Sequence, residues 1–387
     1  MSAHALLSAS ASGRWLNCTP SARLEETLPD TTSTFATEGS MAHEIAELKV
    51  RKHFLEPMGT RAYNNKIKKI KENPEYAGLY QEEMMRHTDT YLDYINKITI
   101  GYPSKPYVAA EKKIDYSVYA EGGFGTCDCI LIGGDTMHVI DFKYGKGVSV
   151  SAENNTQMML YALGALSTYS LLYAIDKIQL AIVQPRLDNV SEFEISAADL
   201  IAWGERIKPI AEKAFKGEGD FVPGAHCKFC KAKAQCRARA NENLSVESFG
   251  NKMPPLLNNA EVGQILERAQ HLESWLSALK EYALSEVLQG NEIAGWKAVA
   301  GRSVRQFTDT DKAFDTLIQN GIDENMLYER KPLTLSGVEK LVGKAKFNDL
   351  LTEFVQTPQG KPTLVSVEDK REPIKNKITA QEAFKNI

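Results

Sequence analysis

Apolar residues recur every three to four positions in GSMAHEIAELKVRKHFLE (39–56) and in YQEEMMRHTDTYLDYINKI (80–98), which predicts a helical front end. From Tyr107 to Gly145 the pattern changes to short β-rich runs broken by glycines, as in TCDCILIGGDTMHVIDFKYG (126–145). About three antiparallel strands in a meander are expected there. AENNTQMMLYALGALSTYS (152–170) returns to helical spacing, KIQLAIVQPR (177–186) and SEFEIS (191–196) read as two further strands, and AADLIAWGERIKPIAEKAF (197–215) closes with a helix.

These elements describe an α/β chain with a mixed core over about residues 39–216. A cysteine-bearing turn, GAHCKFCKAKAQCRARA (224–240), follows it, then a polar stretch with paired prolines over 241–260 that reads as a linker. Residues 260–290 are expected to form one long amphipathic helix ending at Gly290. The remainder mixes short strands, GWKAV (295–299) and TLVSV (363–367), with short helices, giving domains at 1–240 and 261–387, the second an α+β accessory region.

The composition is ordinary for a globular chain of 387 residues, with 43% hydrophobic residues. The most apolar stretch, LLYAIDKIQLAIV (171–183), is interrupted by Asp176, Lys177 and Gln179 and falls short of the roughly 20 residues of a membrane span. The N-terminus has neither a basic region nor a sustained apolar one, so a cytoplasmic protein is expected. A net charge of −4 means that a polyanion would have to meet a local patch. Six cysteines are too few for a disulfide scaffold, and clustered ones suggest metal.

The two hairpin strands each carry an aspartate where an apolar residue would pack better. With Gly134 and Asp135 at the turn, Asp128 falls opposite Asp141, their Cβ atoms roughly 4.5–5.5 Å apart on one face. Two carboxylates that close repel, so a divalent cation between them is expected. Lys143, two residues beyond Asp141, projects from the same face. Oxygen ligands beside an ammonium suit Mg²⁺ or Mn²⁺ and the hydrolysis of phosphodiesters. A bare D-x-K is commonly only a solvated strand face, but two helical features change the context. His43 follows Gly39 by four residues on the front helix, and Gln157 and Tyr161 share a helix face at the same spacing.

In this order, G-x-x-x-H (39–43), G-T-x-D (125–128), D-F-K (141–143) and Q-x-x-x-Y (157–161) resemble the RecB-like branch of the PD-(D/E)XK nuclease superfamily over roughly residues 10–240. The resemblance implies a restriction-endonuclease-like core, a mixed central sheet flanked by helices. It implies metal ligation by His43, Asp128, Asp141 and the Phe142 carbonyl, with Lys143 as the catalytic lysine and Gln157 and Tyr161 completing the site. Glu111, in AAEKKI, matches an acidic position on the preceding strand. The family's second acidic position, often Glu, is Asp141 here.

Cys227, Cys230 and Cys236 form C-x2-C-x5-C, a spacing that can reach one metal centre. His226 would complete a zinc site, though its adjacency to Cys227 makes joint ligation awkward. SASASGRWLNCTPSARLEE resembles the element that precedes AddB-type iron-sulfur nucleases, with Thr19 interposed before Pro20. That likeness implies that Cys18 joins the three downstream cysteines around a [4Fe-4S] cluster, with Zn²⁺ as the alternative. Cys127 and Cys129 alternate with Asp128 and are expected to pack together on the opposite face.

Arg61, Lys66, Lys68, Lys69 and Lys71, with Tyr63 and Tyr76 nearby, form a candidate DNA-binding run. Lys361, Lys370, Arg371, Lys375 and Lys377 form a second basic set without an assigned role. The resemblance implies a Mg- or Mn-dependent deoxyribonuclease, an exonuclease rather than an endonuclease, of phage recombination or DNA processing. Its expected partners are single-stranded DNA or duplex ends, and a phage single-strand-binding or annealing protein. The alternatives are a catalytically inactive nucleic-acid-binding recombination module of the same fold and a zinc-stapled structural protein.

Overall fold

The front helix starts where the Ser33 hydroxyl accepts the Ala36 N–H, one of the orphan donors at a helix N-terminus. In this computed structural model, which describes residues 5–29, 33–250, 256–300, 309–327, 343–351 and positions 338, 354 and 355, that helix is the third in the chain. α1 covers Ser12–Trp15, α2 Ser21–Glu26, α3 Thr34–Val50, α4 Thr60–Lys71 and α5 Glu82–Ile100. α3 buries Met41, Ala42, Ile45 and Ala46, and each larger apolar side chain contributes about 1.5–3 kcal/mol.

Five strands form one mixed sheet in sequence order: β1 Tyr107–Asp115, β2 Phe124–Gly133, β3 Thr136–Phe142, β4 Lys177–Gln184 and β5 Asn189–Ser196. All neighbours are antiparallel except β3 and β4, which run parallel because α6, Thr156–Tyr169, crosses between them. Both middle strands are buried on two faces and read as nearly continuous apolar runs. α7 covers Ala197–Lys216 and stops at Gly217, whose φ of 73° is one that glycine tolerates without strain. α6, α7 and the N-terminal segment cover one face of the sheet, where Leu7 and Trp15 are buried against the α6 core. α3 and α5 cover the other.

The polar stretch over 241–260 is largely helical where it is described. α8, Arg237–Leu244, runs into a short 3-10 turn at Ser245–Phe249, and Asn243 is buried with its amide on the Arg239 carbonyl. The single long helix expected over 260–290 is two: α9, Asn259–Arg268, and α10, Leu272–Leu288, separated by a 3-10 turn at Ala269–His271. No glycine or proline marks the break. Tertiary contacts set the direction of α10 instead, with Trp275 Nε1 donating to Ala234 O at 3.3 Å and Tyr282 accepting from Gln235 at 2.6 Å.

The chain divides into two compact units, Met1–Ile293 and Ala294–Ile387. In the second, helices span Thr310–Gln319 and Lys344–Leu351. The strand expected at GWKAV does not form. TLVSV and the basic set Lys361, Lys370, Arg371, Lys375 and Lys377 lie outside the described residues. Among the described residues no helix is long and apolar enough to cross a membrane.

Candidate metal and catalytic site

β2 and β3 pair from Cys129 with Ile140 to Gly133 with Thr136, the register that a turn at Gly134 and Asp135 dictates. Gly134 has a φ of 59°, as such a turn requires. β1 and β2 pair Ala110 with Cys129 and Lys112 with Cys127, so Glu111 stands level with Asp128. Three acidic residues, Glu111, Asp128 and Asp141, therefore occupy one row across three strands. The row is irregular. Glu111 has a φ of 47°, a left-handed backbone that costs a non-glycine residue on the order of 1–3 kcal/mol.

The period-two alternation slips at this level. Cys127 packs into the core beneath α6 while Cys129 packs into the core beneath α3, and Ala110 and Ile114 divide in the same way. The two cysteines are buried as expected, but they face opposite sides of the sheet. In β1 the slip coincides with the left-handed φ of Glu111, and no glycine in that strand announces it.

At this level the two aspartates also take different partners. Asp128 Oδ2 accepts the Phe142 N–H at 2.7 Å and lies 3.5 Å from His43 Nδ1, whose other carboxylate neighbour, Glu111, is 3.9 Å away. His43, Glu111 and Asp128 offer donor atoms that all lie within 4.8 Å of one another, which makes them a possible metal site. Asp141 turns toward α6 instead. Its Oδ1 accepts from Gln157 Nε2 at 3.2 Å, and its Oδ2 lies 3.2 Å from Lys143 Nζ. Lys143 Nζ also donates to Gln157 Oε1 at 3.1 Å, closing a triangle. The Asp128 charge still acts on Asp141, but the hydrogen bonds of the two expected partners go to two adjoining groups. Phe142 contributes its N–H, and its ring packs at 5.3 Å from that of His43.

The charges in this cleft are strongly coupled. Burial works against the His43 imidazolium, yet the Asp128 carboxylate overrides it and pushes the ring up to about 10. Burial would raise Asp128, but His43, the Phe142 N–H and Lys143 hold it below the usual carboxylate range. Burial raises Glu111 despite His43. Asp141 is pushed up to about 6 by burial, against the pull of Lys143. Lys143 stays charged because Asp141 and Asp128 outweigh its desolvation.

Tyr161 explains the glycine of the G-T-x-D run. A Cβ on Gly125 would stand 2.8 Å from Tyr161 Cε1, so the strand admits the ring only where there is no side chain. Burial pushes the Tyr161 phenol far up, with Asp141 adding to it. Sequence reasoning missed Arg186, whose buried guanidinium bonds Glu38 at 3.0 Å and stacks on Tyr144, tying α3 to the end of β4. An arginine in Q-P-R had no periodicity to mark it.

On α4, Arg61, Lys66, Lys68 and Lys69 are exposed, while Lys71 lies over the Tyr80 ring at 3.7 Å. Tyr76 is buried and donates to Glu44 at 2.6 Å, and Tyr63 lies beneath Lys52. Neither tyrosine stands free to stack on a base.

Cys18, Cys227, Cys230 and Cys236 line a single pocket, with His226, Arg14 and Arg239 on its wall. Several bonds hold the N-terminal segment there: Thr19 Oγ1 to Glu218 O at 2.5 Å, Arg23 Nε to Phe215 O at 2.6 Å, and the Lys231 N–H to Glu25 at 2.8 Å. No three of the sulfurs lie within 4.8 Å of one another, a wider spread than four thiolates at about 2.3 Å from one zinc ion.

Among solved structures, the chain is similar to the crystal structure of SSO0001, at 16% identity over 59% of this chain and 96% of that one, with a TM-score of 0.23. The profile of an uncharacterised family described as "Protein of unknown function (DUF2800)" matches residues 4–372, and the chain belongs to that family.

Proposed function

We propose that the protein is a metal-dependent deoxyribonuclease with a PD-(D/E)XK core of the RecB-like kind, acting as an exonuclease in phage recombination or DNA processing. One observation carries the reading: a cluster of metal-capable donors, His43, Glu111 and Asp128, adjoins a triangle of buried Asp141 with half-buried Lys143 and Gln157. The donor chemistry fits Mg²⁺ or Mn²⁺, being two carboxylates with one imidazole. The ion would supply Lewis acidity toward a phosphodiester and a more acidic bound water.

The chain's own residues have separable tasks. His43, Glu111 and Asp128 would hold the ion, with Asp141 and its partners in the adjoining group. The Lys143 ammonium, kept charged by Asp141, stabilises negative charge developing on the phosphate. Gln157 fixes Lys143 and Asp141 relative to each other, and Tyr161 walls the site against Gly125. The exposed α4 lysines attract the backbone of single-stranded DNA or of duplex ends. The four-cysteine pocket would hold a [4Fe-4S] cluster, and its joining of residue 18 to residues 227–236 suits a clasp on the nuclease domain. Residues 261–387 would be accessory to that domain.

The test is digestion of end-labelled linear and circular DNAs, single and double stranded, with Mg²⁺ or Mn²⁺. Cleavage that disappears in Asp128→Ala and Lys143→Ala supports the reading. Cleavage by Lys143→Ala at the parent rate overturns it, and tight, salt-sensitive binding without cleavage under either metal would favour the inactive binding module.

A further inference from the structure

We propose that Arg239 is the counter-cation of a thiolate-bound centre held by Cys18, Cys227, Cys230 and Cys236. This rests on the iron-sulfur reading of that pocket. Arg239 is only 2% exposed and lines the pocket together with all four cysteines. Its Nη1 donates to Lys233 O at 2.8 Å and its Nη2 reaches Ser274 Oγ at 3.3 Å, both uncharged acceptors. Its Nε is buried without a hydrogen-bond partner. Among the described residues no carboxylate lies within 4.0 Å of it. Glu242 and Glu267, which line a neighbouring cavity with it, form no ion pair with it.

A fully buried cation without a counter-charge is strongly unfavourable, so the pocket should contain an anion. Neutral thiols cannot supply one. Cysteine thiolates around an iron-sulfur core do, because four of them outweigh the positive charge of the core. The other guanidinium on the wall, Arg14, is already neutralised by Glu25 at 3.1 Å. Lys233 also lines the pocket but is only half-buried, so Arg239 is the fully buried charge that needs a counter-ion there, and hydrogen bonds to cluster sulfurs are among the levers by which a protein tunes such a centre.

The test compares full-length parent protein, purified anaerobically, with Arg239→Met and Arg239→Lys, each also made on a Cys230→Ala background. Iron and sulfide content, absorbance near 400 nm, thermal midpoint and the rate of iron loss to a chelator are read. In the loaded protein, Arg239→Met should lower the midpoint and release iron at least tenfold faster, while Arg239→Lys stays within about threefold of the parent. On the Cys230→Ala background the sign reverses, and Arg239→Met should raise the midpoint because the lost charge had no partner there. A brown parent whose Arg239→Met variant loses equal stability in both backgrounds overturns the inference alone. A parent without iron or sulfide overturns the iron-sulfur reading and the inference with it. Should Arg239→Met fail to fold, iron release from Arg239→Gln against Arg239→Lys decides in the same way, equal rates counting against.

Discussion

Tyr161 and Gly125 are fitted to each other: a methyl group on residue 125 would come 2.8 Å from the tyrosine ring. Gly125→Ala should destabilise the chain by about 1–3 kcal/mol through overpacking. In Gly125→Ala/Tyr161→Ala the two effects should fall well short of additive, since the residues share one contact. Urea unfolding of the single and double variants measures this, and strict additivity would mean that the contact is not what the glycine serves.

His43 makes the metal-free protein sensitive to alkali. Its folded-state value of about 10 exceeds the ordinary 6.5, so its contribution is complete below about pH 6.5 and is lost as pH rises toward 10. In the presence of a chelator the melting temperature should fall across that window, and His43→Gln should flatten the fall. Asp141 acts in a lower window: its carboxyl is raised from 3.8 to about 6, so stability drains as pH rises through that interval.

Metal binding should release protons. A ligating imidazole must be neutral, whereas His43 carries its proton at neutral pH in the metal-free chain. Calorimetric titration with Mn²⁺ in two buffers of different ionisation enthalpy should show about one proton liberated per ion. His43→Gln should abolish the difference between buffers. An unchanged difference would place the released proton elsewhere.

Glu111 sets function against stability. Replacing it by glycine relieves the left-handed backbone, worth about 1 kcal/mol, and removes one of three metal donors. Glu111→Gly should therefore melt at a higher temperature than the parent without metal, yet bind Mn²⁺ at least tenfold more weakly. Chelated and Mn²⁺-loaded melting curves test both at once.

Lys143 and Asp128 should fail in different ways. Lys143→Met should cut DNA at least about 100-fold more slowly with metal affinity nearly intact, the pattern of a lost transition-state charge. Asp128→Asn should lose metal affinity itself. Equal loss of affinity in both would merge two groups that the geometry separates.

Much of this was legible in the chain alone. Turn chemistry at Gly134 and Asp135 specified the β2–β3 register, because pairing in a tight hairpin follows from the turn. Helical spacing put Gln157 and Tyr161 on one side of α6, and both turned out beside β2 and β3. Such rules act over a few residues, so they hold wherever local geometry is regular.

What the sequence determined by itself was therefore the order of elements through the sheet and α7, and the β2–β3 register that sets Asp128 level with Asp141. Tertiary packing decided which partners those acids meet: Asp128 meets His43 and Asp141 meets Lys143, and no residue type in β1 signals the left-handed φ of Glu111. It also brought Cys18 to Cys227–Cys236 and stripped Arg239 of solvent, across a separation that no periodicity spans. Charge and burial at one point are set by every element that meets there, and a local pattern carries only one of them.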